Sequence, residues 1–388
     1  MRHVPPALSP IRVRDLAQGV LQRRVGALSS ARREIAERFD ADAVVLCDSG
    51  TSALALALRV AELTHPGTVA APGYGCFDIA TALDATDASV RLYDIDPATL
   101  GPDLASFHRV LAAGARRVIV APLYGSPLEW ESLQTRCEAV GAILIEDAAQ
   151  GSGAEWKGRA HGTLGKLSVL SFGRGKGRTA GGGGALLIRG KAAHDLAHAL
   201  TKDLQPPSVG RIGHLVRMVG QQVLSQPSLF GIAARVPGLH VGQTLYRPPA
   251  AARALAGAEA AMIPAALAGE AQEVAVRREH AGRLSELVPP SVLLPQSKPN
   301  GRGGYLRLPI VPSRTIRPDQ RLRRLGVAAG YPRTLAELDG FQNRLAEDHR
   351  EELPGARLLA ERLLTLPTHS LVNGADIRRL GEWLSELR

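Results

Sequence analysis

The chain has 388 residues, 45% hydrophobic and 22% charged, which excludes a disordered or fibrous protein and leaves room for two domains. Its formal charge of +10 favours acidic partners such as phosphorylated metabolites, nucleic acid or an anionic membrane surface, although 4% aromatic content gives few platforms for stacking bases. Cys47, Cys76 and Cys137 are too few and too scattered for a disulfide framework or a tetrahedral zinc site. Residues 1–15 lack the apolar core of a signal peptide and no uncharged apolar stretch of about 18 residues follows, so a cytoplasmic setting is expected.

In chain order, short apolar runs alternate with helical stretches, the pattern of βαβ units and a mainly parallel sheet. Strands are expected at Ala43–Cys47, Val69–Ala71, Val90–Tyr93, Arg117–Ala121, Ile143–Ile145, Ser168–Ser171 and Ala185–Ile188. Helices are expected over Thr51–Leu63, Phe77–Ala85, Asp103–Ala113 and Ser132–Val140. From about residue 200 the character changes. Pro206, Pro207, Pro227 and Pro237 break Gln205–His240 into short helices, and alanine-rich Ala250–Leu287 reads as one or two long ones. A strand over Gly304–Val311 and helices near Arg357–Leu364 and Asp376–Leu387 close the chain. The expected division is a large α/β domain over residues 1–240, with a helical insertion at about 203–240, and a smaller α+β domain over 241–388.

Four stretches fall at strand ends, where open α/β sheets place their ligands. Asp48-Ser49-Gly50-Thr51-Ser52 joins a strand to a helix, either as a phosphate-binding turn or as a plain N-cap by Ser49 or Thr51. Glu146 and Asp147 follow a buried strand, where a carboxylate needs a cationic partner such as a protonated ring nitrogen, unless Asp147 only caps the next helix. Lys176, among the glycines of Gly173-Arg174-Gly175-Lys176-Gly177-Arg178, suits a phosphate contact or a Schiff-base nucleophile, with a flexible basic loop as the plain reading. Gly177 after the lysine excludes a Walker A loop. The run Gly181–Gly184 is either a linker or backbone passing close to a ligand. An anion turn, an acidic strand end and a lysine loop, in that order, match the needs of pyridoxal phosphate.

Those motifs resemble the DegT/StrS-type sugar aminotransferases, pyridoxal-phosphate enzymes of fold type I. The resemblance rests on Ser49-Gly50-Thr51-Ser52-Ala53-Leu54, Tyr93-Asp94-Ile95-Asp96-Pro97, Leu123-Tyr124-Gly125-Ser126-Pro127 and Ile145-Glu146-Asp147-Ala148-Ala149-Gln150. It continues through Trp156-Lys157-Gly158-Arg159, Ser171-Phe172 and Lys176 to Gly183-Gly184-Ala185, and resumes at Gly330-Tyr331-Pro332 and Leu364–His369. It implies an α/β fold with a large, mainly parallel mixed sheet flanked by helices and a smaller C-terminal α+β domain. It also implies a homodimer, and transfer of an amino group from a donor, glutamate being expected, to the keto group of a nucleotide-linked sugar in polysaccharide or natural-product biosynthesis. By the same resemblance Lys176 bonds to the cofactor and shuttles the proton, Asp147 pairs with the ring nitrogen, and Gln150 lies near the ring's phenolic oxygen. Gly50, Thr51 and Ser171 hold the phosphate.

This chain departs from the family pattern at several positions. Gly177 stands for the usual Asn, Gly182 for the usual Glu, Cys76 for the aromatic expected to stack on the ring, and Leu245 for an Asn that reaches the partner subunit's phosphate. Tyr74 or Phe77 is expected to take over the stacking. Arg174 and Arg178 are candidates for an acidic substrate or for solvated loop charge. Arg211–Arg235 reads as a lid or dimer-packing insertion in preference to an interfacial helix, and His3, His161, His240 and His369 as surface or core residues without metal spacing. Two alternatives remain: a pyridoxal-phosphate enzyme acting on a non-sugar ketone or catalysing another amino-acid reaction, and a basic scaffold or nucleic-acid-binding protein on the same fold.

Overall fold

The computed structural model describes residues 2–8, 26–208, 211–233 and 245–387. Each apolar run of the first half becomes a strand that is buried on both faces, as a parallel sheet covered by helices requires. The strands are β1 (Ala43–Cys47), β2 (Thr68–Pro72), β3 (Val90–Tyr93), β4 (Ala115–Val120) and β5 (Ile143–Asp147), then a short hairpin of β6 (Glu155–Trp156) and β7 (Arg159–Ala160), then β8 (Leu167–Ser171) and β9 (Gly184–Ile188). Seven of them form one sheet in the order β1-β9-β8-β5-β4-β2-β3. Only β9 runs against its neighbours, so the sheet is mixed but mainly parallel.

This register brings three chain turns together. Gly184 at the start of β9 lies opposite Cys47 at the end of β1 and Ser171 at the end of β8. The ends of β1, β5 and β8 therefore open on one side of the sheet, carrying Asp48, Asp147 and Ser171. Helix Gly50–Thr64 packs on the sheet through Ala53, Leu54, Ala57, Leu58 and Ala61. Two helices that the sequence reading did not name, Ala27–Phe39 and Ala193–Asp203, pack beside β1.

A smaller α+β part follows. Its sheet has the order β10-β12-β14-β13, with β10 Val292–Leu293, β12 Leu308–Pro312, β13 Ala328–Ala329 and β14 Leu364–Leu366, while β11 (Gly301–Arg302) extends the hairpin at β6. The alanine-rich stretch forms one helix, Gly257–Ser285. Ala260, Met262, Ile263 and Leu267 near its start join the cluster around Phe39, Leu46 and Phe172, whereas Ala281 and Leu284 at its end pack with Leu308, Ile310 and Leu366. The helix thus ties the two cores together. The expected boundary at residue 240 lies outside the described residues.

Two expectations shift. The helix near Arg357–Leu364 ends at Arg362, because Leu364–Leu366 is drawn into the second sheet between β12 and β13. The strand expected from Gly304 begins only at Leu308, because Gly304 and Leu306 instead donate to the carbonyls of Gly125 and Tyr124 at 2.8 and 2.9 Å. Among the described residues no helix is long and apolar enough to cross a membrane.

Candidate active site

A cavity of about 990 Å³ opens where β1, β5 and β8 end, and the smaller part closes its other side. Gly50, Thr51, Asp147, Gln150, Ser171, Arg174 and Lys176, distant in sequence, all line it.

The first wall is the turn after β1. Ser49 caps helix Gly50–Thr64, its hydroxyl accepting from Ser52 N–H at 3.0 Å, and Ser52 in turn donates to Asp48 at 2.7 Å. The N–H groups of Gly50 and Thr51 have no partner among the described residues and stand at the positive end of the helix dipole. A Cβ on Gly50 would meet the Ser171 side chain, so only glycine lets β8 deliver that hydroxyl beside the two amides. Two free amides and one hydroxyl make an anion cradle.

The second wall is the end of β5. Asp147 is 9% exposed and accepts one hydrogen bond, from Ala149 N–H at 3.1 Å, with no ion pair among the described residues. Burial raises its pKa, against a smaller pull from the Lys176 ammonium. Such a carboxyl calls for a cationic or N–H partner inside the cavity. Glu146, next to it, points the other way and is satisfied by the N–H groups of Gly162, Leu164 and Gly165 and by the Ser168 hydroxyl. It is structural. Gln150 has its amide oriented by two bonds: Oε1 accepts from Tyr124 N–H at 3.2 Å and Nε2 donates to the Tyr331 hydroxyl at 2.9 Å. Tyr124 holds a left-handed backbone (φ 55°), which aims its N–H at Gln150, and its ring stacks on Tyr331 at 6.2 Å.

The lysine loop completes the cavity. Gly175 (φ 75°) and Gly177 (φ 82°) both turn left-handed, and a Cβ on Gly177 would collide with Ser152 and Leu306. An Asn could not occupy that place without displacing both. The two turns send neighbouring side chains to different sides. Lys176 and Arg174 line the cavity, whereas Arg178 is 4% exposed and lies under the loop, 3.4 Å from Glu270 and 5.0 Å from the Phe39 ring. Arg178 is therefore no substrate contact here but half of a buried ion pair. The glycine run is not a linker: side chains on Gly181, Gly183 and Gly184 would strike Met218, Leu255 and the Ser49–Gly50 backbone.

Tyr74 and Phe77 stand behind the cavity wall. The Tyr74 hydroxyl accepts from Tyr331 N–H at 2.8 Å, and the two rings lie 5.6 and 6.1 Å from that of Tyr331, which does line the cavity. They back Tyr331 and do not face a ligand. Cys76 is at the wall, its thiol pushed up to about 12, by burial first and by the Asp78 charge second. Among the histidines, His161 and His369 are core residues, whereas His3 lines the cavity with its ring edge-on to Phe230 at 5.2 Å. His240 lies outside the described residues.

Sequence reasoning missed Arg307, Arg323 and Arg247 as cavity residues. Arg307 is brought in by the Gly304–Leu306 contact and lies over Tyr124 at 6.0 Å. None of Arg174, Arg247, Arg307 and Arg323 has an ion pair with a described residue, and the charged form of Arg174 is disfavoured by burial first and by the nearby Arg247 second.

The family model for the DegT/DnrJ/EryC1/StrS aminotransferase family matches residues 30–385. The L-glutamine:2-deoxy-scyllo-inosose aminotransferase of Streptoalloteichus tenebrarius is 34% identical over 164 residues, 41% of this chain and 39% of that protein. The dTDP-4-dehydro-2,3,6-trideoxy-D-glucose 4-aminotransferase of Saccharopolyspora spinosa is 26% identical over 354 residues, 88% of this chain and 84% of that one. Two of the curated relatives it matches are spanned by this chain over only 52% and 39% of their length. The crystal structure of sugar aminotransferase CalS13 from Micromonospora echinospora shares the fold with a TM-score of 0.75 at 19% identity, each chain covered over 99%. With a family model matched over most of its length, the chain belongs to the DegT/DnrJ/EryC1/StrS aminotransferase family.

Proposed function

We propose that the chain is a pyridoxal-phosphate-dependent aminotransferase that moves an amino group onto the keto group of a phosphate-bearing sugar. One observation carries this reading. A lysine amine, a buried carboxyl without a cationic partner and two free helix-terminal amides converge on one cavity. When bound, pyridoxal phosphate supplies the carbonyl that carries nitrogen and the ring that disperses negative charge.

The residues divide the work. The amides of Gly50 and Thr51 with the Ser171 hydroxyl hold the phosphate, Asp147 keeps the ring nitrogen protonated, and Gln150 Nε2 offers a hydrogen to the ring's phenolic oxygen. Lys176 Nζ would be the amine that holds the cofactor's carbonyl carbon and, when free, the base that takes a proton from the donor's α carbon and returns one to the acceptor. Arg174, Arg247, Arg307 and Arg323 give the cavity an excess of positive charge that favours a phosphate-bearing acceptor over a neutral one. The donor is glutamate or glutamine, and the enzyme works in the cytoplasm as a homodimer. The basic-scaffold alternative loses its motif, because Lys176 faces the cavity and Arg178 is buried.

The test supplies glutamate labelled at its amino nitrogen together with a keto sugar linked to a nucleoside diphosphate. Label appears in the sugar with the native chain and not with Lys176→Ala. Transfer by that variant at the native rate would refute the reading.

A further inference from the structure

Residues 2–8 form a strap along the active-site cavity, anchored at several points. Arg2 donates to Asp376 at 3.0 Å, His3 N–H to the Pro227 carbonyl at 2.8 Å and Val4 N–H to the Arg324 carbonyl at 2.9 Å. The Pro5 carbonyl accepts from His369 Nε2–H at 2.7 Å, while the other ring nitrogen of His369 accepts from Leu371 N–H at 3.3 Å. Val4 is fully buried in the cluster that holds Leu308, Ile310, Leu322 and Leu325. At the far end of the strap, a Cβ on Gly175 would stand 3.4 Å from that of Ala7. The strap thus joins the smaller part to the lysine loop, and each of these anchors lies within one chain.

Two side chains of the strap, His3 and Pro6, line the cavity. The His3 ring is held edge-on to Phe230 at 5.2 Å, and a Cβ on Gly231 would stand 3.1 Å from its Nδ1. The bond from Val4 to Arg324 brings His3 to the same wall as Arg323. Charge sorts the walls. The acidic residues that line the cavity, Asp48, Asp78 and Asp147, all come from the segments that follow β1 and β2 or end β5. Among the described residues, the strap and the smaller part bring no carboxylate to the cavity, but they bring Arg307 and Arg323. A wall with imidazole and guanidinium donors and no carboxylate favours an anion.

We propose that His3, placed by the strap, is a specificity-determining residue that donates with Arg323 to the phosphate of the acceptor. This rests on the reading of the cavity as the site of a phosphate-bearing ketone. The amino donor reacts beside Lys176, Asp147 and Gln150, and none of the contacts of His3 given above is with that end of the cavity. The acceptor extends further from its reacting carbon, by the length of its phosphate arm, and meets this wall.

The test titrates inorganic pyrophosphate into the cofactor-loaded chain by calorimetry, with the cofactor's own phosphate already filling the cradle at Gly50 and Thr51. The native chain is expected to bind it and His3→Ala to bind it roughly tenfold more weakly, the size of one lost hydrogen bond to a charged group. His3→Gln, which keeps a side-chain N–H, is expected to fall between the two. The absorbance change that glutamate produces should be the same in His3→Ala as in the native chain, because His3 serves the acceptor and not the donor. A native chain that does not bind pyrophosphate, or a folded His3→Ala that binds it equally well, overturns the proposal. So does a His3→Ala chain that loses the native response to glutamate, which would place His3 at the donor's end. The binding readout needs no turnover. A chain that holds pyrophosphate through His3 yet transfers no nitrogen loses the proposed reaction alone, and one that transfers nitrogen without this binding loses only the role of His3.

Discussion

A Cβ built on Gly50 would stand 2.9 Å from the Cβ of Ser171 and 3.1 Å from its hydroxyl oxygen. The end of β8 and the first turn of helix Gly50–Thr64 therefore approach as closely as backbone and a small side chain allow. Gly50→Ala must push them apart, at about 1–3 kcal/mol, the usual size of an overpacking defect. The expected result is a lower melting temperature and cofactor binding weakened by at least about tenfold, read by titrating the unloaded protein with pyridoxal phosphate. Native-like affinity in this variant would mean that the phosphate lies elsewhere.

Asp147 links pH to stability in a way that separates its two states. Burial raises its carboxyl pKa, so the cofactor-free fold keeps that proton to a higher pH than the unfolded chain does. That stabilisation is complete below the ordinary carboxylate range and is lost as pH rises through the raised value. Asp147→Asn removes the loss. Cofactor-free Asp147→Asn should melt above the cofactor-free native protein near neutral pH, while added cofactor should raise the native melting temperature more. Turnover should fall roughly 10²-fold or more, the size seen when a preorganised charge is removed from a site. Equal cofactor stabilisation of both proteins would remove the ring partner assigned to Asp147.

Glu270 supports the lysine loop from beneath. Burial pushes its carboxyl pKa up, but Arg178, the Ser152 hydroxyl, Arg38 and Arg277 together overcome this and hold it below the usual range. A depressed pKa contributes stability above the unfolded carboxylate value, which is lost as pH falls through the folded one. Glu270→Gln leaves the Arg178 guanidinium buried without its charge partner and should cost about 3–5 kcal/mol. Calorimetry at neutral and acid pH checks both the loss and its disappearance in acid. A variant as stable as the native chain would show the pair to be dispensable.

Arg174 and Arg178 stand four residues apart but should behave oppositely. Arg174→Ala removes one charge-assisted contact to an anionic acceptor, about 1.5–3 kcal/mol, or roughly 10–100-fold in KM for a phosphate-bearing ketone. Arg178→Ala should instead lower the melting temperature and leave the relative preference for phosphorylated and neutral ketones unchanged. Steady-state kinetics with one ketone of each kind distinguishes the two.

The strands, and the residues at their ends, were readable from the chain because the physics there is local. β1 and β3 run over Ala43–Cys47 and Val90–Tyr93 as the apolar runs indicate, and Gly50, Asp147, Gln150, Ser171 and Lys176 reach one cavity because each follows such a strand. What escaped depends on distant partners. Arg178 reads like Arg174 in the sequence, and only the left-handed turns at Gly175 and Gly177 send it under the loop to Glu270. Arg307 enters the cavity because Gly304 and Leu306 bond to Tyr124 and Gly125, a pairing across some 180 residues that no spacing rule contains. Leu364–Leu366 has the look of a helix end and becomes a strand because β12 and β13 flank it. Tyr74 and Phe77, aromatic and close to the expected stacking position, are turned inward to support Tyr331.

The most direct measurement is the absorbance spectrum of the chain loaded with pyridoxal phosphate, before and after glutamate, with glutamine tried in turn. The account predicts a band near ~420 nm, from cofactor bonded to Lys176, that moves to ~330 nm as the amino group is taken up. Lys176→Ala should show neither that starting band nor the donor-driven change. A native spectrum indifferent to both donors, or a Lys176→Ala spectrum that matches the native one, would contradict the central claim that this cavity is an aminotransferase site.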